Sequence, residues 1–352
     1  MRHFFLIAFS FSFFFFQNIA AQDAEYKVAC IGFYNLENLF DTVDDPDKRD
    51  EEFTPNGRRN WSDKFYQDKL HNLAKVVSQM GTELTPDGVA LLGVSEVENR
   101  KVLEDLVKQP AIAGRNYQIV HYDSPDERGI DVALIYQPKY FTVTGSRPIP
   151  LFIKNSDGSR NFTRDVLHVS GILDGEEIHV LVNHWPSRSG GEKRSRPGRN
   201  AAAALCKQVK DSLQQIDPNV KIIIMGDLND DPVSPSVKEV LGAKAKKKNV
   251  KEGDMFNPMT KYFKKGIGTT AWRDAWSLFD QVMVSYGLVK KDQPGYRFYK
   301  ATVFNKPFLI QKTGRYKGYP FRTFDFSNYI AGYSDHFPVY LFLIKEVAGP
   351  KP

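Results

Sequence analysis

Seven short apolar runs, rich in β-branched residues, recur along the chain at 28–34, 89–94, 131–136, 178–182, 222–225, 281–284 and 339–344. Runs of this length are strand-sized, and apolarity that is continuous rather than alternating marks strands covered on both faces. An all-helical bundle is thereby excluded. Amphipathic stretches lie between the runs. Tyr66, Leu70, Leu73, Val77 and Met80 follow one another at spacings of four, three, four and three. This predicts a helix that starts near Ser62 and stops at Gly81. A second helix is predicted over 200–216. Two segments read instead as mobile basic surface: 187–199, rich in Gly, Ser and Arg, and 243–251, with five lysines. The lysine run suits an ordinary solvated face.

With 41% apolar and 26% charged residues the chain can bury a sizeable core, and no internal repeat is visible. Residues 1–21 stand apart, with Arg2 as their one charge, an apolar run over 4–16 and Ala20-Ala21 at the end. That is the pattern of a secretory signal, and Gln17-Asn18 cuts the run short of a membrane span. The expectation is a protein secreted or delivered to the periplasm. Residues 22–352 would form one catalytic domain, monomeric and without a stable membrane anchor. Cys30 and Cys206 are the only cysteines. One falls in a predicted strand and one in a predicted helix, so two separate buried thiols are expected, and a four-ligand thiolate zinc site is excluded.

Polar residues able to bind a metal or move a proton gather where the apolar runs meet loops. Asn35 and Glu37 follow the first run and Glu96 the second; Arg128 and Asp131 flank the third. His184 closes the fourth, Asp227, Asn229 and Asp230 close the fifth, Asp280 opens the sixth, and Ser334-Asp335-His336 precedes the last. Each alone has a dull explanation, a cap or a surface ion pair. Their recurrence at one place relative to the strands does not, because a strand end holds a side chain firmly while leaving it reachable. Hard cations such as Mg²⁺ take oxygen ligands, and Glu37, Glu96 and Asp335 suit that role. Phosphodiester cleavage needs charge neutralised, water activated and a leaving oxygen stabilised, and these residue types cover all three.

Asn35-Leu36-Glu37, Glu96, Asn183-His184-Trp185-Pro186-Ser187, Gly226-Asp227-Leu228-Asn229 and Ser334-Asp335-His336 together resemble the endonuclease/exonuclease/phosphatase superfamily over about residues 27–344. The resemblance implies a four-layered α/β/β/α sandwich, deoxyribonuclease I-like, with two mixed sheets packed face to face and one metal-dependent hydrolytic cleft. Carried onto this chain, Glu96 is the principal metal ligand, helped by Asn35, Glu37 and Asp335. Asp280 orients His336, Asn229 and His184 contact the scissile phosphate, and Asp227 positions or deprotonates the attacking water. Whether Asp227 or His336 takes the proton stays open in the sequence, and Arg128 reads either as a phosphate contact or as a surface ion pair. Mg²⁺ is the expected cofactor, with Mn²⁺ an alternative and Ca²⁺ a candidate structural ion.

The chain is basic, with a pI near 9.0. Arg188, Lys193, Arg194, Arg196 and Arg199 follow His184. A polyanion fits such a rim, with contacts that carry no sequence code. The leading expectation is therefore a nuclease of low specificity acting on DNA, and on RNA as a further substrate. The alternative is a phospholipase C-like hydrolase of sphingomyelin or inositol-phosphate head groups. That enzyme needs an exposed aromatic hairpin, for which the aromatic-rich segment 296–308 is the candidate.

Overall fold

The structure, a computed structural model, describes residues 25–155, 157–290 and 295–347, so the expected signal segment lies outside the described residues. In chain order the elements are β1 (Tyr26–Leu39), α1 (Asp63–Gln79), β2 (Val89–Val97), α2 (Arg100–Val107), β3 (Gln118–His121), β4 (Asp131–Tyr136), β5 (Phe141–Ile149), β6 (Ile153–Lys154), β7 (Arg160–Asn161), β8 (Val166–Leu173) and β9 (Glu176–His184). Then come α3 (Glu192–Ile216), β10 (Ile222–Asp227), β11 (Met255–Phe256), β12 (Thr270–Trp272), β13 (Ala275–Ser277), β14 (Asp280–Ser285), β15 (Arg297–Val303), β16 (Phe324–Asp325), β17 (Asn328–Tyr329) and β18 (Val339–Glu346).

Two six-stranded sheets result, ordered β15-β18-β1-β2-β4-β3 and β11-β14-β10-β9-β8-β5. Each sheet holds one parallel pair, β1 with β2 and β9 with β10, among antiparallel neighbours. Parallel strands need a long crossover, which α1 and α3 supply. In each sheet two strand C-termini therefore lie side by side. This single feature of the topology places the site.

Along β10 successive side chains alternate between two cores. Ile223 and Met225 join the core that lies between the sheets, while Ile222 and Ile224 pack with Ala202, Ala203 and Cys206 of α3. Both faces are dry, which is why the run looks uniformly apolar. The sheets approach closely: a Cβ on Gly93 of β2 would come within 2.5 Å of Met225 Sδ. The order helix, sheet, sheet, helix is the expected four-layered sandwich. Helix α1 has its predicted bounds, capped by Ser62, whose Oγ accepts from the Phe65 N–H. Cys30 and Cys206 are free and buried, and burial pushes the Cys206 thiol up to about 12.

Three expectations change. Segment 187–199 is not a mobile loop, because α3 begins at Glu192 and absorbs Pro197 and Gly198. Arg199 holds this first part of the helix: its guanidinium donates to the Glu192 carbonyl at 3.0 Å and to Ser195 Oγ at 2.9 Å, and pairs with Asp230 at 2.8 Å. Segment 243–251 is likewise ordered, bridging Phe256 through Lys244 and turning through a 3₁₀ stretch at Lys247–Asn249. The aromatics of 296–308 lie in β15 and immediately before and after it; Tyr296, Phe298 and Phe304 are buried, and Tyr299 alone of the five is mostly exposed. No described helix is long and apolar enough to cross a membrane.

Candidate active site

The four C-termini of the two parallel pairs deliver Asn35 and Glu37, Glu96, His184 and Asp227. Irregular backbone aims them. The β1–β2 register shifts between Asn35 and Leu39, and the β2–β4 register between Ser95 and Val97. Within these shifts Glu37, Asn38 and Glu96 adopt φ of 52°, 52° and 57°, and Asn229 after β10 adopts 48°. A non-glycine residue held in the left-handed region costs on the order of 1–3 kcal/mol, and such strain concentrates where bulges re-aim side chains at functional sites. Gly226, by contrast, is required by packing, since a Cβ there would lie 2.3 Å from the Asn183 carbonyl on β9.

One wall is a chain of hydrogen bonds and close charged contacts. Asp280 on β14 stands opposite Asp227 on β10, and the His336 Nδ1–H donates to Asp280 Oδ2 at 2.7 Å. His336 Nε2 then lies 3.8 Å from Asp227 Oδ2. Asp227 accepts from Asn35 Nδ2 at 3.0 Å and from the Asn229 N–H at 2.9 Å. His184 Nε2 sits 3.7 Å from Asp227 and 3.8 Å from Glu96. Its neighbours in sequence are pins: the Trp185 indole N–H donates to Asn183 Oδ1, and Asn183 Nδ2 donates to the Met225 carbonyl. The Asn229 side chain donates to the Trp185 carbonyl at 3.0 Å.

Electrostatics separates these groups. Burial would lower the His336 imidazole, but Asp280 and Asp227 outweigh it and hold its pKa well above the ordinary value. Burial raises Asp227 to about 6 against the opposing pull of His336. His184 is depressed well below the usual range by burial and by the Arg164 and Arg128 guanidinium groups. At neutral pH the wall thus offers an imidazolium, a neutral imidazole and a carboxylate whose pKa lies close to operating pH.

The other wall is crowded with carboxylates. Glu37 Oε2 accepts from the Thr323 N–H at 2.7 Å and from its hydroxyl at 2.6 Å, and Glu96 Oε2 accepts from the Asn38 N–H at 3.1 Å. Asn35 joins the walls, since its Oδ1 accepts from the Glu37 N–H at 2.9 Å. Burial and the charge of Asp335 raise the Glu37 carboxyl. Lys69 partly offsets that charge, fully buried with its Nζ 3.4 Å from Glu37 and donating to Thr323 Oγ1 and the Tyr333 carbonyl. Among the described residues, the sets of three or more His and carboxylate side chains whose ligand atoms all lie within 4.8 Å of one another are Asp227–Asp280–His336 and His121–Asp123–Asp131. Glu37, Glu96 and Asp335 do not form such a set. Their hard oxygen atoms and the raised Glu37 carboxyl fit a divalent ion.

The basic rim is rearranged. Arg188 is spent internally, donating to the Asn229 carbonyl and pairing with Asp230 and Asp231. Arg196 forms a two-pronged pair with Glu192 one helical turn away. Those two expected substrate contacts are already neutralised. Arg194 stays exposed and Arg128, 3.7 Å from Asp126, is half exposed; both line a groove of about 1100 Å³. Sequence reasoning missed Lys69 and Arg164. Lys69 had a signal: it falls on the apolar stripe of α1 between Tyr66 and Leu73, where a lysine needs a buried partner. Arg164, which bonds Asp126 and the Trp185 carbonyl, had none.

The Endonuclease/Exonuclease/phosphatase family profile matches residues 30–345. The chain belongs to that family. Its members are phosphodiesterases and phosphatases that use divalent metals. No curated protein sequence matches the chain. Among solved structures, a humanized D. rerio TDP2 aligns with a TM-score of 0.54 at 13% identity, covering 90% of this chain and 98% of its own. A family protein from Bacteroides thetaiotaomicron gives 0.54 at 17%, covering 92% and 100%. A mannosyl-6-phosphatase of the same species gives 0.53 at 17%, covering 90% and 99%. At these identities the likeness establishes the shared fold.

Proposed function

We propose that the chain is a divalent-metal-dependent phosphodiesterase that hydrolyses nucleic acid. The groove of about 1100 Å³ lined by Arg164, Pro186 and Ser187, which follow or contact the His184 segment, carries this reading. It is far larger than a single phosphoester needs, and Arg49, Arg128, Lys154, Arg164 and Arg194 outnumber Asp126, Glu127 and Asp157 along it. Exposed Phe152 and Phe162 flank it, with the Arg160 guanidinium 4.6 and 4.7 Å from their ring centroids. Basic groups and open aromatic faces bind strands without reading sequence. A D. rerio TDP2 of the same fold has been solved with a single-strand DNA product, which supports the choice. The membrane-hairpin candidate 296–308 lies largely in the core, which removes the feature that favoured a lipid head group.

In this reading Glu96, Glu37 and Asp335 would hold the cation, which would supply positive charge to neutralise the phosphate and polarise its P–O bonds. Asp227, fixed by Asn35 and Asn229, draws the proton from water, since its pKa of about 6 leaves it ionised yet basic at neutral pH. His336 is kept as an imidazolium by Asp280 and stabilises charge on the phosphoryl oxygens, while neutral His184 donates to the phosphate. We also infer that residues 1–21 direct export and are removed; N-terminal sequencing of mature protein that still begins at Met1 would overturn that.

Purified protein with Mg²⁺ is expected to degrade plasmid DNA and oligonucleotides, to stop with a chelator and to slow steeply as salt rises. Turnover of sphingomyelin or a hexose 6-phosphate alone, with nucleic acid untouched, would refute the substrate assignment.

A further inference from the structure

Beside Glu37 and Asp335 lies a second cavity of about 280 Å³. Buried Trp61 and Phe324 line it, and Trp272, Tyr316, Phe326 and Arg322 stand around it. Trp272 is 73% exposed and Phe326 60% exposed. Two large rings left this bare beside one pocket mark a binding surface. Both are presented by tight hairpins. Trp272 ends β12 before the turn into β13, and Phe326 lies in the turn between β16 and β17 with φ of 54°, a conformation rarely imposed on a bulky residue.

The presentation is rigid. Trp276 of β13 stacks on Phe337 with centroids 5.9 Å apart and planes at 12°, and the Tyr319 hydroxyl donates to Asp274 Oδ1 at 2.6 Å. Arg59 lies 4.8 Å from the Phe324 centroid and donates to the Phe326 carbonyl. Guanidinium groups and rings already alternate here: Arg322 stands 4.5 Å from the Tyr316 centroid and Arg315 5.0 Å from that of Phe326. Arg322 Nε is buried without a hydrogen-bond partner. A wall of this kind accepts one more planar π system carrying hydrogen-bonding edges. The volume sits at the small end of ligand pockets, enough for one ring and too little for a strand.

The geometry points to a subsite for one unpaired nucleobase, carried by the nucleotide that bears the scissile phosphate. This rests on the nucleic-acid reading and narrows it: single strands and frayed ends are the substrate, because a base within duplex is stacked on both faces and paired at its edge, and must leave the helix to enter. The large groove on the His184 side then takes the remainder of the strand.

The test compares Mg²⁺-dependent cleavage of a labelled oligonucleotide as single strand and as blunt duplex, by the wild type and by Trp272→Ala and Phe326→Ala. A strand of abasic nucleotides serves as the base-free control. Wild type should prefer the single strand, and each variant should raise KM on it roughly ten-fold, the scale of one base–aromatic stack. The same variants should match wild type on the abasic strand, with an unchanged melting temperature. Equal cleavage of duplex and single strand, or variants unaffected on the single strand, would overturn the subsite. If nucleic acid resists cleavage altogether, the function reading fails on its own account, and the subsite is judged by fluorescence titration in EDTA. Quenching by adenosine monophosphate that disappears in Trp272→Ala supports it, whereas quenching by a hexose 6-phosphate and none by the nucleotide refutes it.

Discussion

The two walls of the site solve opposite problems. On the Asp227–Asp280–His336 side, charges are paired within the protein: carboxylate, imidazole, carboxylate and amide form one chain with separations of 2.7–3.8 Å. On the Glu37–Glu96–Asp335 side, three carboxylates crowd against Lys69 and Arg322, and the burial that isolates Glu37 raises its pKa. One wall is paired within the protein as folded, and the other is the one that the proposed function completes with a cation. In the proposed function proton chemistry belongs to the first and charge neutralisation to the second, though both grow from the same device, the paired C-termini of two parallel strands.

The largest expected effect breaks the first wall. Asp227→Asn keeps the shape and the bond to Asn35 but removes the base, and should lower kcat on the order of 10³-fold while leaving Mg²⁺ affinity within about two-fold. Isothermal titration with Mg²⁺ alone separates the two. A variant that loses the metal as well would show that the walls are not divided as stated.

Lys69→Met attacks the second wall from beneath. Removing one member of a buried ion pair costs about 3–5 kcal/mol, so unfolding in chelator should shift to lower denaturant by that amount. Mg²⁺ should restore part of the deficit, because it then supplies the missing positive charge. A Lys69→Met protein as stable as wild type in chelator would mean the ammonium compensates nothing.

Much of this division was legible beforehand. Glu96, His184, Asp227 and His336 were each visible as polar residues closing or preceding an apolar run; parallel neighbours end at the same side, and β18, antiparallel to β1, begins there, so the sheet pairing brings the four together. What the sequence concealed depended on interactions made across long separations. Pro197-Gly198 looks like a break, and becomes helix only because Arg199 reaches back to Glu192 and across to Asp230. Trp272 and Phe326 look like any strand aromatics, and their exposure follows from lying at the turns of two short hairpins. Arg188 and Arg196 look like free rim charges until Asp230, Asp231 and Glu192 are placed beside them.

The pH profile sharpens the comparison on a finer scale. An acid whose folded pKa is raised to about 6 loses its basic form as pH falls through that value, so kcat should drop ten-fold per unit below pH about 6. His336 is shifted in the same direction, upward, which for a base favours the charged form, and its protonated form persists through neutrality; the alkaline limb lies above pH 7. The acid limb should vanish from the residual activity of Asp227→Asn. Its persistence there would assign the titration to the carboxylates of the other wall.

The smallest effects belong to the rim, where two arginines two residues apart are set against each other. Arg196 is satisfied by Glu192, so its removal frees a carboxylate as it deletes a cation, and the field over the groove changes little. Arg194 forms no such ion pair among the described residues and faces the groove. A cation that binds a backbone phosphate releases about one counterion from the strand, so deleting it should weaken binding uniformly across sequences and flatten the dependence on log salt by about one unit. Arg194→Ala should therefore raise KM for a long strand several-fold and lower that slope, while Arg196→Ala leaves both within experimental scatter. Equal responses would mean that the Glu192 pair opens when nucleic acid arrives, and that the rim is built by the substrate rather than by the fold.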